Sequence, residues 1–286
     1  MRIASVFASG LMIAMALPAL AQNAAPAAPT ARVAGTLLKP LALVTNAQAF
    51  AGPPAVFALQ QAGFQVAAHD PAFASAEARA SYRDAHPGVV ALAEQEPAAV
   101  VQAAQDISGR LDVLVSNDAY PPIQGTIETS SVDGLRDTLD RLVIFPFEIA
   151  RAAVPHLRNQ AKARVVFISS NRNRLPVRGG SIPDIARAAA NALVRSLSIE
   201  LAPHGVPVNA IAPNYLYSET YYPRSRFVDD AAGRAYVAQV VPAGRLGKPE
   251  EIGELIRYLA TMDGTFLTGA VIDFSGGWPV ATPFPQ

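Results

Sequence analysis

The sequence predicts a single α/β fold, a doubly wound parallel sheet with helices on both faces. From Leu37 onward, short apolar runs alternate with helical stretches. The runs are rich in Val, Ile and Leu without polar alternation, as strands buried on both faces require. No internal repeat or shift of composition marks a second domain. Right-handed crossovers wind such a chain into one open sheet, whose ligands sit at the carboxyl ends of the strands.

Leu41–Val44 is a continuous apolar run and the first strand. Residues 53–62 form a helix with Pro at its start, where a missing N–H costs least, and Gly63 closes it. A strand over 64–68 and a helix over 75–85 follow, then a strand over 89–93 and a helix over 97–107 closed by Ser108-Gly109. The fourth strand spans 111–115, and 131–158 holds one long helix or two joined ones. Arg164–Ile168 is the fifth strand, 183–202 a helix, 206–211 the sixth strand, Pro249–Thr261 a helix and 270–274 the last strand.

Of the 286 residues, 51% are hydrophobic and 16% charged, with Lys+Arg and Asp+Glu balanced at 23 each. There is no basic excess to attract nucleic acid. Cys is absent, which excludes disulfides, a thiolate nucleophile and Cys-based metal sites. The four His are scattered without ligand spacing, so no metal is expected. Arg2, an apolar run from Val6 to Leu17 and small residues through Ala21 read as a signal peptide over 1–21, with a retained membrane anchor as the alternative. Cleavage near Ala21 would deliver the chain to the periplasm. An Ala/Pro-rich linker over 22–34 then leads into the domain at 35–286.

The turn after the first strand reads Thr45-Asn46-Ala47-Gln48-Ala49-Phe50-Ala51-Gly52. A dinucleotide site normally places glycines here, so that backbone approaches a pyrophosphate at a helix N-terminus. Asn46 and Phe50 stand at two of those places, and only Gly52 remains. The Phe50 ring would fill volume a dinucleotide needs, or it simply packs on the sheet. Asp70 follows the second strand, where an acid holds the ribose hydroxyls when NAD binds, or else caps a helix.

From Thr36 to Pro279 the chain resembles the short-chain dehydrogenase/reductase superfamily, with its Rossmann fold. Within it, the Thr45-x4-Phe50-x-Gly52 turn resembles the halohydrin dehalogenases. So do Glu94-Gln95-Glu96-Pro97, Asp112-Val113-Leu114-Val115-Ser116-Asn117-Asp118 and Pro213-Asn214-Tyr215-Leu216. The resemblance implies a lyase that converts vicinal haloalcohols to epoxides without a nicotinamide, working as a homotetramer. It implies a substrate or halide pocket at Thr45, Phe50, Gly52, Tyr120, Pro213, Asn214, Tyr215 and Leu216, with Asp118 relaying a proton near the catalytic Arg.

The same resemblance implies a Ser, a Tyr after twelve intervening residues, and an Arg in place of the superfamily's Lys. The Tyr takes the proton of the substrate hydroxyl, the cation favours its phenolate, and the Ser holds the substrate oxygen. Here Ser170 and Arg187 stand at the outer positions, but Pro183 occupies the Tyr position. Pro183 can start a helix. No Tyr lies between Tyr120 and Tyr215, so a shifted gap does not restore the motif. Asp184, Tyr120, Tyr215 and Tyr217 are candidate substitutes, and nothing in the sequence selects one. Asp184 and Arg187 are spaced to pair on one helical face. Arg172, Arg174 and Arg178 either favour an anionic ligand or form a solvated loop.

The leading reading is a halohydrin dehalogenase-like enzyme, a carbon–halogen lyase with no cofactor expected and with a small-molecule substrate or halide as its ligand. One alternative is an NAD(P)-dependent oxidoreductase. The other is a non-catalytic exported protein that binds a small molecule or anion. A homo-oligomer would form through the long helices, the Ala-rich run 186–192, the last strand and Trp278, unless these pack within one chain.

Overall fold

In the computed structural model, which describes residues 39–280, the apolar runs become seven parallel strands. They are β1 (Leu41–Val44), β2 (Gln65–Ala68), β3 (Val89–Ala91), β4 (Val113–Asn117), β5 (Arg164–Ile168), β6 (Val208–Pro213) and β7 (Val271–Phe274). Their order is β3-β2-β1-β4-β5-β6-β7, with every pairing parallel. The order reverses between β1 and β4, which opens a crevice at their carboxyl ends. The signal peptide over 1–21 and the linker over 22–34 lie outside the described residues, as does the tail over 281–286.

The connections are α1 (Gly52–Gln61), α2 (Ala76–Ala85), α3 (Pro97–Asp106), α4 (Val132–Leu139), α5 (Phe145–Leu157), α6 (Ser181–Leu201), α7 (Arg224–Phe227), α8 (Ala231–Val240) and α9 (Pro249–Thr261). A π-helical turn over Asp140–Ile144 joins α4 to α5, so the 131–158 stretch is two helices. Successive strand residues face opposite sides. Leu41 and Leu43 pack with α3, α5 and α6, while Ala42 and Val44 pack with α1 and α9. This double burial is why the strands read as unbroken apolar runs.

Several strand boundaries shift by one or two residues from the pattern-based expectation, those of β4 and β6 at both ends. β4 runs on through Ser116 and Asn117, whose buried side chains are hydrogen-bonded rather than apolar. β6 begins after Pro207, which has no N–H for the ladder, and ends at Pro213.

The turn between β1 and α1 is closed by its own side chains. Asn117 Nδ2 donates to the carbonyls of Asn46 (2.9 Å) and Ala49 (2.7 Å), while Asn46 Nδ2 donates to the Asn117 carbonyl (2.7 Å). Thr45 Oγ1 accepts the Asn117 amide at 3.0 Å. Asn46 and Phe50 hold φ of +46° and +51°, the left-handed region that glycine adopts freely. A Cβ on Gly52 would lie 2.4 Å from the Asn46 carbonyl oxygen, so this position must be glycine. Gly52→Ala should cost about 1–3 kcal/mol by overpacking and lower Tm by roughly 2–12 °C in thermal denaturation. An unchanged Tm would contradict this packing.

Candidate active site

A cavity of about 840 Å³ opens beyond the carboxyl ends of the strands. It is walled by the β1 turn, the loop after β4, the residues after β5, the start of α6 and the chain from Pro213 through α7 and α8, with Thr138 and Leu142 at one side. The last segment folds back over the opening. Asp230 caps α8 through the Gly233 amide (2.8 Å), and a Cβ on Gly233 would overlap the Arg226 carbonyl, which keeps α8 tight against α7.

Phe50, Tyr120, Ser170 and Arg187 line this cavity, as do Pro183, Pro213, Asn214 and Leu216. Ser170 Oγ donates to the Pro213 carbonyl (3.0 Å) and accepts the Arg172 amide (3.2 Å), while Asn191 Nδ2 holds the Ser170 carbonyl (3.1 Å). Pro183 lies in the first turn of α6, where no helical N–H is missed. Arg187 is 4% exposed. Its Nη2 donates to Tyr221 Oη at 3.2 Å, and its Nη1 has no partner among the described residues.

Four expected pocket or relay residues do not line the cavity. Thr45 and Gly52 are buried in the closed turn and shape it from behind. Tyr215, at φ +53°, turns its ring onto Tyr222 (5.1 Å) and Trp278 (5.8 Å), and its hydroxyl lies 3.3 Å from that of Tyr236. Burial holds its phenol above the usual range. Asp118 is buried, with Oδ1 accepting Ser116 Oγ at 2.7 Å and Oδ2 without a partner among the described residues. Desolvation pushes its carboxyl up to about 8, against the opposing Ser116 hydrogen bond and the Arg187 charge.

The side-chain pairings choose between other readings the sequence left open. Asp184 pairs with Arg172 at 2.5 Å rather than with Arg187. The spacing permitted either partner, and the turn at Arg172–Arg174 brings Arg172 over the start of α6. Arg174 pairs with Asp273 (3.2 Å) and Arg178 is exposed, so of the three cations Arg172 alone borders the cavity, held there by Asp184. Asp70 does not face open space. Its carboxylate accepts the Gln48 amide (3.0 Å), the Gln48 side chain (3.2 Å) and the Ala72 amide (3.1 Å), capping the turn Pro71–Ala74. Trp278 packs with Tyr215, Val237 and Val241 of its own chain.

Sequence reasoning missed Tyr221 and Tyr222, which also line the cavity, as does the strand-end residue Ser169. Ser169 Oγ is buried without a partner among the described residues. Tyr222 Oη donates to Asn214 Oδ1 at 2.5 Å, and burial pushes its phenol up to about 12. The adjacent pair Tyr221-Tyr222 was the available signal, in a stretch that carried no regular pattern.

Asp118 gives this site a pH signature. Folding keeps its proton bound to higher pH than in the unfolded chain, so the neutral carboxyl's contribution is intact below the usual carboxylate range. It is lost as pH climbs toward about 8. Asp118→Asn keeps the acceptor for Ser116 and cannot ionise. Thermal melts across that range should decline by several degrees less in the variant, and parallel declines would refute the assignment.

The geometry has counterparts among known proteins. A family model described as enoyl-(acyl carrier protein) reductase matches residues 52–279. A solved halohydrin dehalogenase bound to ethyl (2S)-oxiran-2-ylacetate is 34% identical, with a TM-score of 0.83 over 86% of this chain and 100% of that one. A solved short-chain dehydrogenase/reductase from Serratia marcescens is 25% identical, with a TM-score of 0.73 over 84% of this chain and 98% of that one. Among curated proteins, human dehydrogenase/reductase SDR family member 4 is 30% identical over 63% of this chain, and the match spans 64% of that protein's length. A tropinone reductase homolog of Arabidopsis thaliana is 30% identical over 65% of this chain and 69% of its own. A seven-stranded sheet in this order, a closed first crossover and a family match over most of its length lead to one conclusion: the chain belongs to the short-chain dehydrogenase/reductase superfamily.

Proposed function

We propose that the chain is a halohydrin dehalogenase-type enzyme that closes vicinal haloalcohols to epoxides and opens epoxides with small anions in reverse. The observation that carries this reading is Phe50. It holds a left-handed backbone at a glycine position of the first crossover, and its side chain lines the same cavity as Ser170 and Arg187. A bulky residue in that conformation costs about 1–2 kcal/mol, and such strain concentrates at functional sites. The likeness to a solved dehalogenase over nearly its whole length supports the same reading.

Each residue has a task in this chemistry. Ser170 holds the substrate oxygen from the end of β5. Arg187 presents positive charge where the alkoxide develops. The oxygen attacks the neighbouring carbon, the C–O bond forms as the carbon–halogen bond breaks, and the electron pair leaves with the halide. Phe50, Pro213, Asn214 and Leu216 wall the space that receives it. The first crossover does not fit a dinucleotide, because Phe50 adds a side chain where backbone must approach a pyrophosphate. Asp70 is buried and already accepts three hydrogen bonds from Gln48 and Ala72, which leaves little of its carboxylate to meet ribose hydroxyls. The reading therefore contains no hydride transfer.

The curated relatives are dehydrogenases and reductases, and they favour a second reading as a nicotinamide-dependent oxidoreductase. Pro183 at the usual Tyr position favours a third, a protein that binds a small molecule or anion without turnover. One set of measurements separates the three. The chain should release bromide from 1-bromo-2-propanol about 10²-fold faster than a Ser170→Ala control, the scale of one lost oxygen-holding donor. Calorimetric titration should show no micromolar binding of NADH or NADPH. Micromolar binding would favour the oxidoreductase, and bromide binding without release would favour the binding protein.

A further inference from the structure

Resting on the dehalogenase reading, we propose that Tyr221 supplies the acid–base phenol that Pro183 lacks. Tyr221 lies in the chain between β6 and α7, far in sequence from the helix that carries Arg187. It lines the cavity, and its ring packs edge-on against Phe50 with centroids 4.8 Å apart and planes at 76°. Its oxygen is fixed by three groups. The Tyr120 amide donates to it at 3.0 Å, Arg187 Nη2 donates to it at 3.2 Å, and its own hydrogen goes to the Tyr120 carbonyl at 3.0 Å. Two N–H donors, one of them cationic, converge on this oxygen and are placed to hold it at the cavity wall. That is the relation a cation and a phenol hold in the usual site, rebuilt from a different segment of chain.

Tyr221 also gives its proton to a backbone carbonyl, but among the described residues no other candidate meets Arg187. Tyr222 gives its proton to Asn214, Tyr215 is turned toward Tyr236, and Tyr217 donates to Glu219 at 2.7 Å. Asp184 is held by Arg172, and Asp118 does not reach the cavity wall. Tyr221 is the residue whose hydroxyl both meets the buried guanidinium and borders the space for substrate.

The step balances without any added reactant. The Tyr221 phenolate takes the proton of the substrate hydroxyl. The alkoxide oxygen forms a bond to the adjacent carbon while the carbon–halogen bond breaks, and the halide leaves with the electron pair. The proton on Tyr221 then passes to solvent through the open cavity. In epoxide opening the phenol returns a proton to the epoxide oxygen as the anion attacks carbon. The Phe50 contact makes the base and the halide wall one packed unit, so Phe50 is a positioning residue for Tyr221.

Steady-state kinetics with 1-bromo-2-propanol on the full chain test this. Tyr221→Phe keeps the ring and should lower kcat at least 10²-fold, the scale of general acid–base catalysis. Bromide inhibition should change less than about threefold, and Tyr217→Phe should leave kcat unchanged. Tyr221→His replaces the phenol with a base of lower intrinsic pKa. It should retain part of the rate and move the pH–rate profile toward acid, which a packing role alone would not do. If the wild-type chain turns over but Tyr221→Phe keeps more than a tenth of kcat, or the profile of Tyr221→His does not move, the Tyr221 assignment fails and the dehalogenase reading stands. No turnover by the wild-type chain at all would sink both.

Discussion

Asn117 reaches from the end of β4 to the turn after β1 and holds two of its carbonyls, while Asn46 reaches back to the Asn117 carbonyl. Buried carbonyls and amides require such partners, and here side chains supply what a ligand or water would otherwise provide. The exchange fixes the turn with Asn46 and Phe50 in left-handed conformations. It also draws the Asn46 carbonyl against Gly52, where no side chain fits. The direction of the Phe50 ring follows from this closure. So does the place of Tyr221, whose ring leans on Phe50 and whose oxygen completes the surroundings of Arg187.

Arg187 is the second constraint. A guanidinium buried to 4% exposure needs a compensating partner, yet its Nη1 has none among the described residues and Nη2 meets only the Tyr221 oxygen. The nearby carboxyl of Asp118 holds its proton up to about pH 8 because burial disfavours its anion. At neutral pH the positive charge is therefore left for the cavity. An alkoxide, a phenolate or a departing halide would each meet that charge, and a low-dielectric wall makes the interaction stronger than in water.

The fold was legible because its strands are buried on both faces, and no other common arrangement gives such short, unbroken apolar runs between helices. The crossover was legible because Asn46, Phe50 and Gly52 sit at positions with strict backbone demands. What could not be read was whatever depends on how distant segments fold back. Tyr221 meets Arg187 only because the chain after β6 doubles over the cavity, and α7 and α8 carry no strong apolar stripe to announce them. Helical spacing allowed Asp184 to meet Arg187, but Arg172 arrives from the preceding turn and takes it. Tyr215 occupies the expected sequence position, and its own left-handed backbone turns the ring toward Trp278 instead.

The central claim is that the closed crossover turns the strand-end crevice into a halide site. Crystals of the chain grown with bromide and NADH together test it most directly, by anomalous diffraction at the bromine edge. The account predicts a bromide peak against Phe50 and the Pro213–Leu216 backbone, with no nucleotide density over Gly52. A dinucleotide lying across the β1 turn, with Phe50 displaced to admit it, would contradict the account.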